Sequence, residues 1–410
     1  MRPIPAGSVP GSAVRACPDA SDADESPSAA WIKLAVLSDG LSVEPSFVSW
    51  FADQRGFAQR RNVYNTPVWG HEGALPQEIR LGGVVIAVNA YGASPWTLTW
   101  AGHDTGPRLR HRASGGEWSV EMVADLESLR TDTELASLAN LYGGSALSFF
   151  TPRACYFFAD STQCRFCSLA GTAREQDSFA NRLTPDQIRY AVDAVLAREP
   201  GRINQVMIVG GNERNLDRGF ANHVALVQAA ADAIAAHGLG ERISVHLATM
   251  PPHDLDRIDA LGAVRGVHVM FNLEVWDEDA FERIAPGKHR DYGRTRMMQA
   301  LARLREAIGP YQAHSILIAG LEPAKSTVEG ARALADMGIS PIVNAYHSDR
   351  HSELGLTIRP SYRHLAAVAA GLQRVHEDYP VCPYWRGCGR NALDYEAAHG
   401  LFRGPVPRLD

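Results

Sequence analysis

A chain of 410 residues with 45% hydrophobic and 21% charged residues buries one large core or two smaller ones, which excludes a wholly disordered polymer. Its formal net charge of −6 supplies no basic stripe to hold phosphates, so a nucleic-acid partner is disfavoured and a small-molecule partner favoured. No run of eighteen apolar residues occurs, residues 1–30 lack the order of a signal peptide, and six unevenly spaced cysteines make no disulfide framework, so the expected setting is the reducing cytoplasm with no membrane partner.

Residues 1–30 are rich in Pro, Ser, Ala, Gly and Asp, contain Cys17, and read as a disordered tail that cannot offset its ordering entropy. Residues 31–143 read as a small strand-rich N-terminal domain. In it Leu81 to Ala90 has the pattern of a buried strand, Ser94 to Trp100 that of another, and a helical segment lies near Thr131–Leu141. The aromatics of Trp69-Gly-His71 and Ser94-Pro-Trp96 either fill this domain's core or close over a site; filling the core is the ordinary use of tryptophan.

Over 144–345 short apolar runs alternate with helical patterns. The runs are Ala146–Phe150, Gln205–Val209, Ile243–Ala248, Val267–Leu273, His314–Ala319 and Ser340–Asn344, with helices at about 184–198, 219–237, 253–262, 293–307 and 326–337. Thr184-Pro-Asp opens the first helix with an N-cap followed by proline. Successive β-α units with right-handed crossovers predict an α/β fold, a partial (β/α)6 TIM-like barrel whose ligands sit at the C-terminal ends of the strands. Residues 346–410 form a C-terminal extension with a helix near Arg363–Glu377 and the pair Cys382 and Cys388.

Three of the six cysteines, Cys155, Cys164 and Cys167, fall within thirteen residues, in the loop after the first of these strands. Three thiolates so placed suit three irons of a [4Fe–4S] cluster with the fourth iron open to another ligand. The competing reading is a structural zinc site, which needs a fourth Cys or His at short spacing; none follows Cys167 before His223. Gly210 and Gly211, at the end of the second strand, fit either a ligand-cradling turn or an ordinary strand-to-helix turn.

The residues resemble those of radical S-adenosylmethionine enzymes. Cys164-Arg-Phe-Cys167 matches the family's Cys-x-aromatic-Cys ending, with Phe166 beside the adenine, although the spacing here is Cys-x8-Cys-x2-Cys instead of the commoner Cys-x3-Cys-x2-Cys. Gly210-Gly211-Asn212-Glu213 is similar to the Gly-Gly-Glu element that binds the methionine amino group, with one extra residue before Glu213. Asn272-Leu-Glu274, Pro286-Gly-Lys and Arg294-Thr-Arg296 resemble the subgroup in which an acid after the fourth strand contacts the ligand and an arginine on the next helix pairs with its carboxylate. Gly320, in Ile316-Leu-Ile-Ala-Gly320-Leu-Glu322, is similar to the fifth-strand element lining the adenine site.

The resemblance implies a [4Fe–4S] cluster on Cys155, Cys164 and Cys167, and S-adenosylmethionine held by Phe166, Gly210, Gly211, Glu213, Glu274, Gly320 and one of Arg294 and Arg296, with Arg294 favoured; an arginine's planar fork suits a carboxylate better than lysine. It further implies a reductant such as flavodoxin or ferredoxin, and hydrogen abstraction from a small or medium-sized metabolite. Cys382 and Cys388 are candidates for hydrogen donation to a substrate radical, or, with Cys17, for a second iron–sulfur cluster; the alternative is a buried pair closing a lid. Asp160, His246, Trp276, His314, Asn344, Tyr346 and His347 are candidates for the barrel mouth. Rival functions are a radical modifier of a peptide or tRNA, and a non-catalytic zinc or iron–sulfur sensing module.

Overall fold

The computed structural model describes residues 27–58, 75–176, 178–355 and 359–409; Cys17, Trp69 and His71 lie outside them. Its central element is a seven-stranded sheet: β1 (Ala139–Tyr142), β2 (Ala146–Phe150), β3 (Gln205–Val209), β4 (Ser244–Ala248), β5 (Val267–Met270), β6 (Ala313–Ala319) and β7 (Ser340–Ala345). The spatial order is β7-β6-β5-β4-β3-β2-β1. From β2 to β7 every neighbouring pair is parallel, so the chain must cross over between strands, and helices α1 (Pro185–Arg198), α2 (Leu216–Ala236), α3 (Arg294–Ile308) and α4 (Ala324–Asp336) supply most of the crossovers. The first begins as its sequence dictates: Thr184 Oγ1 accepts from Gln187 N at 3.3 Å and Gln187 Oε1 accepts from Thr184 N at 2.9 Å. Between β4 and β5 the connection Leu255–Ala263 is a 3-10 helix instead of the expected α-helix, wound tightly from Asp254, which accepts from Asp256 N at 3.3 Å.

Three expectations are corrected. The helical segment near Thr131–Leu141 ends at Leu138, and Ala139–Tyr142 is instead β1, antiparallel to β2. The hairpin turns on Gly143 and Gly144, at φ of 58° and 82°; a Cβ on Gly143 would also stand 2.0 Å from the Cys388 carbonyl oxygen. The supposed strand Leu81 to Ala90 is a hairpin, Glu78–Leu81 against Val84–Ala87, because Gly82 and Gly83 carry the turn. Of the expected tail, residues 1–26 lie outside the described residues, and its last residues belong to the helix Pro27–Asp39. Trp31, Ile32, Leu34 and Leu37 of that helix are buried, and its buried Lys33 donates to Glu396 at 2.6 Å and to the Gly389 carbonyl at 2.7 Å. Trp96 is fully buried and stacks on His111 at 4.3 Å, so this aromatic fills a core instead of lining a site.

The edges β7 and β1 are joined by the chain after helix α5 (Tyr362–Asp378). Asn344 bridges Ala392, Leu393 N donates to Val343 O at 2.9 Å, Trp385 stacks on Tyr142 at 4.9 Å, and the Arg390 guanidinium lies 4.2 Å from the Tyr142 ring centre. Within this segment Asp394 is fully buried and accepts from Tyr384 N at 2.8 Å and Trp385 N at 3.4 Å. Burial, with the Glu396 charge adding to it, pushes its carboxyl up to about 7. Buried Glu78 is raised in the same way to about 7, against the pull of Arg390.

A carboxyl whose folded pKa lies above its unfolded one stabilises fully below the unfolded value, and that contribution is lost as pH rises through the folded value. The wild type should therefore lose stability between about pH 5 and pH 8, and Asp394→Asn, which keeps an acceptor without the charge, should lose less. The difference is on the order of 2 kcal/mol, half the full value of a three-unit shift. Urea denaturation at the two pH values measures it; equal pH dependence in both proteins would show that Asp394 does not titrate in this range.

Candidate active site

Cys155, Cys164 and Cys167 lie on the loop that follows β2, at the C-terminal end of the parallel strands. The loop is built onto the end of β3 through backbone bonds: Thr151 N to Val209 O at 2.8 Å, Gly211 N to Pro152 O at 2.7 Å and Tyr156 N to Asn212 O at 3.0 Å. This contact is what Gly210 and Gly211 are for. A Cβ on Gly210 would meet the Thr151 carbonyl oxygen at 2.3 Å, and one on Gly211 would meet the Ala154 carbonyl oxygen at 2.2 Å and the Cys155 Cβ at 2.8 Å. Gly211→Ala should therefore displace Cys155, costing about 1–3 kcal/mol by overpacking and much of the bound iron after reconstitution. Denaturation and iron analysis test this, and a variant with wild-type iron would separate Gly211 from the loop.

From Cys155 the chain makes the short helix Tyr156–Ala159 and turns back through Cys164, whose carbonyl accepts from Cys167 N at 2.9 Å. All three cysteines face one cavity of about 270 Å³, which also receives side chains from every strand of the sheet, including Asn140, Ser148, Met207, Ala248, Met270, Ile316 and Asn344. Among the described residues, no group of three or more His, Cys, Asp or Glu stands at the spacing of a single metal ion. Burial pushes the Cys164 thiol far up and that of Cys167 to about 12, so both stay protonated at neutral pH unless a metal displaces the proton. Asn212 Nδ2 faces Cys155 Sγ at 3.7 Å.

The same cavity holds a buried ion pair. Glu274 lines the cavity at φ 71°, an unusual conformation for glutamate, fixed by its own N–H donating to Ile316 O at 2.8 Å and its carbonyl accepting from Ile318 N at 2.7 Å. Its carboxylate takes a hydrogen bond from Lys288 Nζ, which also donates to Asn272 O at 3.2 Å. Burial alone would lower the Lys288 pKa, but Glu274 wins and holds it above the ordinary lysine value. Lys288 was not singled out by sequence, yet its signal was there in Pro286-Gly-Lys. Proline starts the helix Pro286–Asp291, and Gly287, where a Cβ would stand 2.3 Å from the Phe157 ring and 2.5 Å from the Thr162 carbonyl oxygen, lets that helix press against the cysteine loop.

Phe166, Gly210, Gly211 and Glu274 line the cavity, as do Asn344, Tyr346 and His347. Glu213 does not. The extra residue puts Asn212 in the cavity and turns Glu213 outward, where Arg182, Arg218 and Asn222 donate to it at 2.5, 2.9 and 2.7 Å. Burial raises its pKa, but these donors outweigh burial and hold it at about 2. Arg294 is likewise absent from the lining: its guanidinium stacks on Trp276 at 4.1 Å and reaches Glu278 at 3.5 Å, while Arg296 donates to the His253 carbonyl. Gly320, at φ 107°, is a turn glycine whose Cβ would meet Pro360 at 2.8 Å. Asp160 sits on the rim, bound to Arg214.

The largest correction concerns Cys382 and Cys388. Neither lines the cavity, because their segment caps the N-terminal ends of the strands. Cys388 Sγ is buried against Gln205 Oε1 at 3.3 Å, Cys382 N donates to Ser340 Oγ at 3.0 Å, and Arg386 bonds the Asn204 carbonyl at 3.1 Å. Tyr384 packs there on His246 and His314, both fully buried and so withdrawn from the mouth. The extension reaches the cavity through Trp385, Arg390 and Asn391 instead.

No protein-family profile matches this sequence, and no curated protein sequence matches it. Solved structures resemble parts of the chain at low identity. A radical SAM methyltransferase from Sphaerobacter thermophilus is 15% identical over 74% of this chain and 82% of its own, with a TM-score of 0.42. Coproporphyrinogen III oxidase, HemN, from Escherichia coli, described as a radical SAM enzyme, is 16% identical over 59% of this chain and 55% of its own, with a TM-score of 0.34. Both of these solved proteins are described as radical SAM proteins. SuiB from Streptococcus suis, solved with S-adenosylmethionine bound, is 13% identical over 57% of this chain, at a TM-score of 0.37, and the matched part spans 43% of the SuiB chain. Among the described residues no helix is long and apolar enough to cross a membrane.

Proposed function

We propose that this protein is a radical SAM enzyme that binds a [4Fe–4S] cluster and S-adenosylmethionine in the cavity at the C-terminal ends of its strands and acts on a small or medium-sized metabolite. The observation that carries the reading is the convergence of Cys155, Cys164 and Cys167 on one cavity that faces the buried Glu274–Lys288 pair. Three thiols fit a cluster with one open iron, and among the described residues no fourth cysteine lines the cavity. The six parallel strands β2 to β7 are read as the partial (β/α)6 barrel that such a site needs. When bound, the cluster and its ligand supply one-electron cleavage of the sulfonium to a 5′-deoxyadenosyl radical that abstracts hydrogen.

The residues of the chain bind, orient and exclude water. Phe166, Met207, Ile316 and Trp385 give the cavity apolar walls. Glu274 and Lys288 offer an acceptor and a cation side by side, complementary to an amino group and a carboxylate; Lys288 takes the part that the family resemblance gave to Arg294. Asn140, Ser148 and Asn344 add neutral polar groups to the lining, and the buried Asn344 Oδ1, which has no partner among the described residues, suits an N–H or O–H of a small substrate. A cytoplasmic setting with a flavodoxin- or ferredoxin-type reductant follows from this chemistry.

Anaerobic reconstitution with iron and sulfide, then reduction with S-adenosylmethionine present, tests the proposal. 5′-Deoxyadenosine should form with the wild type and not with the triple variant Cys155→Ala, Cys164→Ala, Cys167→Ala. Tetrahedral zinc in place of iron, with no cleavage, would favour the sensing module instead.

A further inference from the structure

Asn212, the extra residue of the Gly-Gly element, closes around Cys155 from two sides. Its carbonyl accepts from the N–H of Tyr156, the residue after Cys155, at 3.0 Å, and its Nδ2 faces Cys155 Sγ at 3.7 Å. The orientation of the amide is fixed. Met250 N donates to Asn212 Oδ1 at 3.3 Å, and a backbone N–H needs an acceptor, so the oxygen belongs on the chain after β4 and the amide N–H on the sulfur. Gly211, where a Cβ would stand 2.8 Å from the Cys155 Cβ, brings the two stretches of chain close enough for this reach. Asn212 lines the cavity, yet the groups that match S-adenosylmethionine leave it without a role. At Cys167 a hydrogen bond comes from the Leu169 backbone, which a side-chain substitution leaves in place; at Cys155 it comes from a side chain that can be replaced.

A hydrogen bond to a thiolate gains strength as negative charge on the sulfur rises, and such bonds are among the levers that set the potential of an iron–sulfur centre. An added electron raises that charge, so a donor at the sulfur favours the reduced state over the oxidised one. Resting on the iron–sulfur reading, we infer that Asn212 is a positioning residue whose N–H···S bond to Cys155 holds this sulfur in place and raises the reduction potential of the cluster. The bond moves no proton; it stabilises the state that carries one electron more. A higher potential eases electron entry and leaves less driving force for cleaving the sulfonium, so Asn212 sets the balance between the two.

The test compares the wild type with Asn212→Leu, Asn212→Ser and Tyr156→Phe after anaerobic reconstitution with iron and sulfide, in the absence of S-adenosylmethionine. The potential is read by redox titration followed by electron paramagnetic resonance, and the Fe–S stretching bands by resonance Raman spectroscopy in light and heavy water; neither needs turnover. Leucine removes the donor at similar volume. Serine keeps a polar group too short to reach the sulfur, and it carries the test if the leucine variant assembles no cluster. Tyr156→Phe loosens the same loop by removing the 2.9 Å bond from Tyr156 to Asp291, and leaves Asn212 untouched. Both Asn212 variants should shift the reduction equilibrium about 10-fold toward the oxidised state, which is about 59 mV lower for a one-electron couple. They should also lose part of the heavy-water shift of the Fe–S bands seen in the wild type, while Tyr156→Phe keeps both properties. Equilibria within about twofold of the wild type in the Asn212 variants, or an equal fall in Tyr156→Phe, would overturn the inference and leave the cluster standing. Loss of the cluster from both Asn212 variants would make the residue a structural support and also overturn the tuning role. A wild type that takes up no iron–sulfur cluster would refute the iron–sulfur reading, and the inference with it.

Discussion

Alanine at Cys155, Cys164 or Cys167 is expected to strip the reconstituted protein of most of its iron, from about four per chain to well under one. It should also abolish reductive cleavage of S-adenosylmethionine. The three thiols line one cavity, and among the described residues no other cysteine lines it to take over a lost corner. Burial keeps Cys164 and Cys167 protonated in the absence of metal, so binding must release their protons, and iron uptake by the wild type should weaken as pH falls. The informative comparison is with Cys382→Ala and Cys388→Ala. Their segment caps the opposite end of the sheet, so both variants should retain about four irons and cleave the ligand normally. Cys388→Ala should cost stability, because its thiol is buried against Gln205. Iron analysis with absorption spectra decides the matter; about eight irons in the wild type, falling by half in Cys388→Ala, would restore the second cluster.

What could be read from sequence was whatever is encoded locally. Apolar runs such as Gln205–Val209 and helix starts such as Thr184-Pro-Asp are decided by residues within one turn or one strand, and both stand where expected. The spacing of Cys155, Cys164 and Cys167 already kept them on one loop at the ligand-bearing end. What stayed hidden depends on contacts distant in sequence. Ala139–Tyr142 has helix-compatible residues, and only the Gly143-Gly144 turn and pairing with β2 make it a strand. Nothing near Cys382 or Cys388 announces that their segment turns under the sheet to Gln205 and Ser340. Glu213 and Arg294 failed for a related reason. One inserted residue reversed which side chain faces inward at 212–213, and Arg294 found a closer partner in the Trp276 ring.

Lys288→Met is expected to cost about 3–5 kcal/mol of stability and to weaken S-adenosylmethionine binding by about 10- to 100-fold. The two effects have different origins. Both members of the Glu274–Lys288 pair have side chains 8% exposed, so removing the lysine leaves a carboxylate buried without its counter-charge. Glu274 cannot swing away to water, because its backbone is fixed at positive φ by bonds to Ile316 and Ile318. Glu274→Gln together with Lys288→Met removes both charges, and the double variant should regain much of the stability lost in Lys288→Met. It should not regain affinity, because the negative charge and the cation that match the ligand's amino group and carboxylate are both gone. Arg294→Gln is the contrasting variant: its guanidinium stacks on Trp276 outside the cavity, so binding should change by no more than about threefold. Urea denaturation and equilibrium binding of S-adenosylmethionine on the wild type and these three variants separate the two effects. If Arg294→Gln loses affinity while Lys288→Met keeps it, the carboxylate belongs to the arginine, and the helix bearing Arg294 must shift when the ligand binds.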